Sequence, residues 1–258
     1  MLKKATDKIG KIRLDRLLVE RGIAESRERA QAMIIAGQVL VKGQKVEKAG
    51  STVPGDSDLR ILGAQLRYVS RGGLKLEKAL SAFAIDVKDK NALDAGASTG
   101  GFTDCLLQHG ATKVYAVDVG QGQLAWKLRH DPRVVVMEKT NARQLTPARF
   151  PPPFVPADLV VIDCSFISLR KILPPAVALL RPCGNIIALI KPQFEAGKAE
   201  ADRGAGVIRD PEIHQRVVRE LNEFVTAQPG LRWLGVTESP VLGPAGNKEF
   251  LVLIESLG

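Results

Sequence analysis

The sequence predicts an α/β protein, a parallel sheet flanked by helices, with a small basic α+β module in front of it. Three observations predict this. From about Asn91 onward, apolar runs of strand length alternate with helical patterns. A length of 258 residues suits one large domain, or one medium domain with an appendage. The net charge of +9 is divided unequally: residues 1–78 hold 17 Lys/Arg against 9 Asp/Glu, whereas residues 79–258 hold 20 against 19. That asymmetry marks a basic module attached to a nearly neutral one, and the module's expected partner is a polyanion.

Composition narrows the class. Hydrophobic residues make up 45% of the chain, enough for a packed core and too many for wholesale disorder. No apolar run reaches the 18 residues of a membrane span; the strongest, around Leu159–Ile162 and Ile186–Ile190, are strand length. The N-terminus MLKKATDKIG is basic, but no apolar stretch follows it. No secretory signal is therefore expected, and the expected compartment is the reducing cytoplasm. Cys105, Cys164 and Cys183 are scattered without a CxxC pair, which speaks against a zinc ribbon or a disulfide framework.

In the basic module, Leu14, Leu17, Leu18 and Arg21 outline a short amphipathic helix ending at Gly22. Ser26 is placed to cap a second helix that runs to Gly37, with Ala30, Met33 and Ile34 as its buried face. Arg27 and Arg29 fall in its first turn, where the macrodipole disfavours cations; a phosphate bound there would explain them. VLVKGQKV, from Val39 to Val46, reads as two short strands around a tight turn. Pro54-Gly55 and Asp58–Ile61 add a further turn and strand. The stretch RLDRLLVERGIAESRERAQAMIIAGQVLVKGQKV resembles the S-four-type RNA-binding domain over roughly residues 12–62. The resemblance implies binding of structured RNA, with Arg13, Arg16, Arg27, Arg29, Lys42 and Lys45 as contacts, and Arg71 beyond a connector at residues 63–70.

In the second module the strand-like runs are Ala92–Asp94, Val114–Asp118, Val134–Met137, Leu159–Asp163 and Ile186–Ile190. A helical stretch from Pro211 to Ala227 precedes two more, Trp233–Val236 and Phe250–Ile254. The first run leads into LDAGASTGGFTD, where Gly96, Gly100 and Gly101 bracket a strand-to-helix turn that a ligand can approach closely. The dinucleotide fingerprint fails because Ser98 stands where its second glycine belongs, and no Gly-Lys-Ser/Thr follows to make a phosphate loop. Asp118 ends the second run 22 residues after Gly96, the spacing at which nucleoside-binding α/β units place an acid for the ribose hydroxyls. Asn141 follows the third run. Asp163 and Lys191 end the fourth and fifth, where polar residues face a ligand. Lys75 and Glu249, taken alone, read as surface charges. His109, His130 and His214 read as surface or cap residues, Trp126 as helix packing, and Lys198–Arg209 as a polar glycine-rich loop.

The G-x-x-x-G-G form resembles motif I of S-adenosylmethionine-dependent methyltransferases. It implies that cofactor, held by Asp94, Gly96, Ser98, Thr99, Gly100, Gly101, Asp118, Val119, Asn141 and Asp163. Lys75, Asp163, Lys191 and Glu249, in that order, resemble the tetrad of FtsJ-like ribose 2′-O-methyltransferases. With YVSRGGLKL, DAGASTGGFTD, IDCSFISL, IKPQFE and GNKEF all present, the chain is identified as a member of the TlyA family of ribosomal RNA 2′-O-methyltransferases. The resemblance implies an RNA-binding domain over residues 1–62 and a seven-stranded, Rossmann-like methyltransferase domain over residues 71–258. It further implies cytidine in ribosomal RNA or a ribosomal subunit as the substrate, no metal, no membrane partner and a monomer.

In that scheme Lys191 is the base, Asp163 orients it, Lys75 stabilises the oxyanion, and Glu249 holds a lysine and the ribose. A lysine can take a proton only if burial and a neighbouring cation bring its pKa toward neutrality. Three other readings stay open. Cys164, directly after Asp163, could serve a cytosine 5-methyltransferase as thiolate nucleophile, although the Pro-Cys expected at that strand end is absent. The chain could be a catalytically inactive RNA- or ribosome-binding factor. The family's older label, hemolysin, suggests membrane activity, for which no long basic amphipathic helix is present.

Overall fold

The computed structural model describes residues 10–24, 26–48, 50–62 and 67–257, so expectations resting on residues 1–9 and 63–66 lie outside it. The chain divides into two compact units, Met1–Leu66 and Arg67–Gly258.

The first unit runs β1 (Lys11–Arg13), α1 (Leu14–Glu20), α2 (Arg27–Ile35), β2 (Val39–Val41), β3 (Gln44–Lys45), β4 (Thr52–Pro54) and β5 (Leu59–Ile61). Leu14, Leu17 and Leu18 share one face of α1, and Ala30 and Ile34 one face of α2. These faces close on each other together with Val39 and Val53, and form the unit's core. Ser26 caps α2 by accepting the Arg29 N–H at 3.1 Å. Strand β2 pairs antiparallel with both β3 and β5. A second ladder, β1 with β4, is a difference from the sequence reading: three residues on each side are too few to show a period.

The second unit runs α3 (Gly72–Ala82), β6 (Asn91–Ala95), α4 (Gly101–Gln108), β7 (Lys113–Val117), α5 (Trp126–Arg129), β8 (Val134–Met137), β9 (Ala157–Ile162) and α6 (Leu173–Val177). It continues with β10 (Leu180–Ile190), α7 (Pro192–Glu195), α8 (Lys198–Arg203), α9 (Pro211–Thr226), β11 (Leu231–Glu238) and β12 (Phe250–Ser256). Its seven strands form one sheet in the order β11-β12-β10-β9-β6-β7-β8. The five strands from β10 to β8 are parallel, whereas β12 is antiparallel to both its neighbours, so the sheet is mixed rather than parallel throughout.

Period-2 alternation sorts the strand residues between two cores. Leu93, Tyr115, Val160 and Ile186 face one side, where α9 supplies Val217, Leu221 and Val225. Ala92, Val114, Leu159 and Ile187 face the other, where α3 and α4 supply Leu76, Leu80, Phe102 and Leu106. Both sides being covered, the strands read as nearly continuous apolar runs. Truncating one of these leucines to alanine costs about 2–5 kcal/mol. Strand β6 pairs with β7 on one side and β9 on the other, so the sheet's topology reverses there. Connections leaving the C-terminal ends of β6 and β9 diverge and open a crevice.

Four local expectations are corrected. Residues 67–70 belong to the second unit rather than to a connector: Tyr68 is buried, and the Val69 N–H donates to Asp104 Oδ2 at 2.8 Å. Lys198–Arg203 is helical despite the nearby glycines. Trp126 is 64% exposed, stacked on His130, and not a packing residue. His109 and His130 are helix C-caps, but His214 is buried in α9, with Nε2 on the Ile208 carbonyl oxygen at 3.0 Å.

Candidate active site

The site grows from the Gly96–Gly100 turn between β6 and α4. Gly96 has φ +91°, and a Cβ there would stand 2.8 Å from the Asp163 carbonyl oxygen. Only glycine lets the loop lie against the end of β9. Gly100, at φ +95°, caps α4; a Cβ there would strike the Leu124 and Leu128 side chains. Ser98 is also left-handed, at φ +49°. Its N–H donates to Asp118 Oδ2 at 2.8 Å, and the Gly120 N–H donates to Oδ1 at 2.7 Å. Each carboxylate oxygen keeps lone-pair capacity for a ligand hydroxyl.

Two cavities adjoin at this turn. The smaller, about 300 Å³, is walled by Ser70, Arg71, Lys75, Thr99, Lys191 and Leu242 among others. The larger, about 600 Å³, is walled by Asp118, Val119, Asn141, Arg143, Cys164 and Phe166 among others. Gly96, Ser98, Asp163 and Ser165 belong to both walls. Gly101 lines the smaller cavity, and Gly100 lines neither. Asn141 Oδ1 accepts the Arg143 N–H at 3.0 Å, which fixes the turn after β8.

The four sequence-predicted polar residues come together as two ion pairs. Asp163 follows β9, and its Oδ1 lies 2.6 Å from Lys191 Nζ, just beyond β10. That contact is an ion pair with poor hydrogen-bond alignment, for Oδ1 has no aligned donor. The ammonium's aligned hydrogen bond goes to Ser165 Oγ at 2.8 Å. Lys75, on α3, places Nζ 2.5 Å from Glu249 Oε2, just before β12. Glu249 is 1% exposed and absent from both cavity walls, and its link to the smaller cavity runs through Lys75.

Asp94 also departs from a place on the cavity wall. It is fully buried beneath the loop, where Oδ2 accepts the Thr103 hydroxyl at 2.7 Å and Oδ1 has no partner. Burial, above all, pushes its pKa up to about 7. The Cys164 thiol is pushed up to about 12, by burial first and by the Asp163 charge next. A thiol of that kind is not a ready nucleophile.

Ser165, Phe166 and Glu195 escaped the sequence reading. Ser165 had a signal in its place two residues after Asp163, but nothing in its identity pointed to Lys191. Phe166 stands 90% exposed at φ +62° on the rim of the larger cavity. Glu195 accepts the Ser168 hydroxyl at 2.7 Å and the Leu169 N–H at 2.6 Å, tying the loop after β9 to α7. Burial raises its pKa.

In the first unit, Arg16 pairs with Glu20 at 2.8 Å and Lys45 with Glu47 at 3.0 Å. Such exposed pairs are worth about 0–1 kcal/mol and exchange readily for a phosphate. Arg13 and Arg27 both reach Asp15. Arg29 and Lys42 are exposed. Among the described residues there is no helix long and apolar enough to cross a membrane, and no group of three or more His, Cys, Asp or Glu placed to hold a metal ion.

A family model described as FtsJ-like methyltransferase matches residues 68–256, and one described as S4 domain matches residues 12–59. The chain is 52% identical to YqxC of Bacillus subtilis (strain 168), over 94% of this chain and 85% of that protein. It is 45% identical to the Mycobacterium tuberculosis protein named 16S/23S rRNA (cytidine-2′-O)-methyltransferase TlyA, over 95% of this chain and 90% of that protein. A solved structure titled as a hemolysin from Streptococcus thermophilus has a TM-score of 0.73 at 44% identity, covering 96% of this chain and 89% of that one. The two-cavity site at the β6–β9 crevice sits within the residues these matches span, and the chain belongs to the FtsJ-like methyltransferase family, in the TlyA group that carries an S4 domain.

Proposed function

We propose that this chain transfers a methyl group from S-adenosylmethionine to the 2′-oxygen of a cytidine ribose in ribosomal RNA. The observation that supports this most is the meeting of two lysine–carboxylate pairs, Lys191–Asp163 and Lys75–Glu249, beside the glycine turn. The name carried by the Mycobacterium tuberculosis relative motivates cytidine and ribosomal RNA.

The larger cavity suits the cofactor chemically. Asp118 offers acceptors for ribose hydroxyls, Asn141 and Val119 border the place for adenine, and Gly96 leaves a cradle that any side chain would fill. When bound, the cofactor supplies an electrophilic methyl group. The remaining work falls to the protein. A ribose hydroxyl is a weak nucleophile until its proton has an acceptor, and Lys191 is the group proposed to receive it, in the amine form left once its ammonium has released a proton to solvent. Asp163 and Ser165 fix Nζ for that task. Lys75, held by Glu249, presents a positive group to the oxygen as negative charge develops there. Orientation across adjoining cavities supplies much of the acceleration. The basic first unit, with Arg13, Arg16, Arg27, Arg29, Lys42 and Lys45, docks the RNA.

Mass spectrometry of ribosomal RNA from cells with and without this protein tests the reading. The expected result is a cytidine 2′-O-methyl group that disappears with the protein. An unchanged methylation map, or loss of a base methyl group, contradicts it.

A further inference from the structure

The basic unit buries a carboxylate where a polyanion-binding surface has no evident use for one. The Asp15 side chain has 0% exposure. It accepts Nε and Nη2 of Arg13 at 3.0 and 2.8 Å, and Nη2 of Arg27 at 3.3 Å. It also accepts Nε2 of Gln31 at 2.9 Å and the Arg16 N–H at 2.8 Å. The donors come from β1, from α1 and from two successive turns of α2. The Arg13 guanidinium, foremost among them, holds the carboxyl well below the usual carboxylate range. A buried charge persists only when it is paired and hydrogen-bonded in this way.

The arginines are not buried with it. Their side chains are 48% and 55% exposed. A guanidinium carries five N–H groups. Arg13 commits two of them to Asp15 and Arg27 commits one, and the rest have no other protein acceptor among the described residues. Moreover, Arg13 Nη2 and Arg27 Nη2 touch the same atom, Asp15 Oδ2. Two cations so close repel each other, and the carboxylate between them offsets that repulsion.

We propose that Asp15 is a positioning residue for RNA docking: it locks Arg13 and Arg27 into one two-pronged cationic edge that takes adjacent phosphates of an RNA backbone. The inference rests on the RNA reading above and predicts an effect of unusual sign. Removing a negative charge from a basic surface ordinarily tightens polyanion binding. Here Asp15→Asn weakens it, because the two guanidiniums separate.

The test is fluorescence anisotropy of the full chain with a labelled hairpin RNA transcript across a salt series. Asp15→Asn is expected to bind roughly tenfold more weakly at moderate salt, and the slope of log Kd against log salt falls by about one, the mark of a lost phosphate contact. The double variant Arg13→Lys/Arg27→Lys keeps both charges at half-exposed positions but loses both planar forks, and is expected to weaken binding several-fold. Thermal melting reports whether each variant folds; if Asp15→Asn does not, the double variant decides alone. Wild-type affinity in the folded variants, or tighter binding by Asp15→Asn, overturns the inference. A wild-type chain that ignores the hairpin overturns the RNA reading instead.

Discussion

Lys75 Nζ and Glu249 Oε2 lie 2.5 Å apart, although 174 residues separate them along the chain. The contact ties α3 to the start of β12 behind the smaller cavity. Glu249 is buried outright and Lys75 is open only to the smaller cavity, so each charge depends on the other for most of its compensation.

Breaking this pair should therefore cost stability and activity separately. Glu249→Gln or Lys75→Met alone leaves a buried charge unpaired and is expected to destabilise by about 3–5 kcal/mol. The double variant Lys75→Met/Glu249→Gln should recover most of that loss while staying catalytically dead. Denaturant unfolding and a methyl-transfer assay on the same four proteins check this. A double variant as unstable as the worse single one would mean that the pair is not the stabilising unit.

Asp94 makes the fold pH-sensitive. Its folded pKa of about 7 lies above the ordinary carboxylate value of 3.8. The unfolded state therefore releases the proton first as pH rises. This residue's contribution favours folding fully below pH 4, declines as pH climbs toward 7, and levels off above it. The difference is on the order of a few kcal/mol. Asp94→Asn, which keeps the shape without the charge, should gain relative to wild type as pH rises from 5 to 8. Melting temperatures of both proteins across that range give the comparison, and parallel curves would refute it.

Cys164 discriminates between ribose and base chemistry. With its thiol held near pKa 12 and hydrogen-bonded to the Ala95 carbonyl oxygen at 3.4 Å, it is packed rather than poised. Cys164→Ala should lower turnover less than about tenfold, since no covalent step depends on it. Complete loss in a variant that still melts normally would revive the cytosine 5-methyltransferase reading.

Much of the fold was legible because two-sided burial leaves a plain mark. Val114–Val117 and Leu159–Ile162 are apolar at every position, and the loops between them carry the breaks. The reversal of β12 was not legible, since a buried strand reads alike in either direction. Helix α3 was missed because it opens on Gly72-Gly73, and Gly73 is there for a packing reason: a Cβ would strike the Tyr68 ring. At the site, Asp163 and Lys191 stood out as polar ends of apolar runs. The resemblance implied that Asp163 orients Lys191, but it left open which lysine Glu249 holds; that this is Lys75 depends on where α3 and β12 arrive, not on spacing. Ser165 and Glu195 stayed hidden for the same reason, being ordinary polar residues until the loops after β9 and β10 come together. In the first unit, Asp15 read as one charge among many; only its burial reveals its five donors.

We propose Lys191 as the residue on which transfer to a ribose oxygen depends. Incubating ribosomal RNA with methyl-labelled S-adenosylmethionine, then digesting to nucleosides for mass spectrometry, tests it for wild type and Lys191→Ala side by side. The predicted result is label on the 2′-oxygen of cytidine with wild type, and none with Lys191→Ala, although calorimetry shows that the variant still binds the cofactor. Label on a base would contradict ribose transfer, and full ribose methylation by Lys191→Ala would contradict the role given to Lys191.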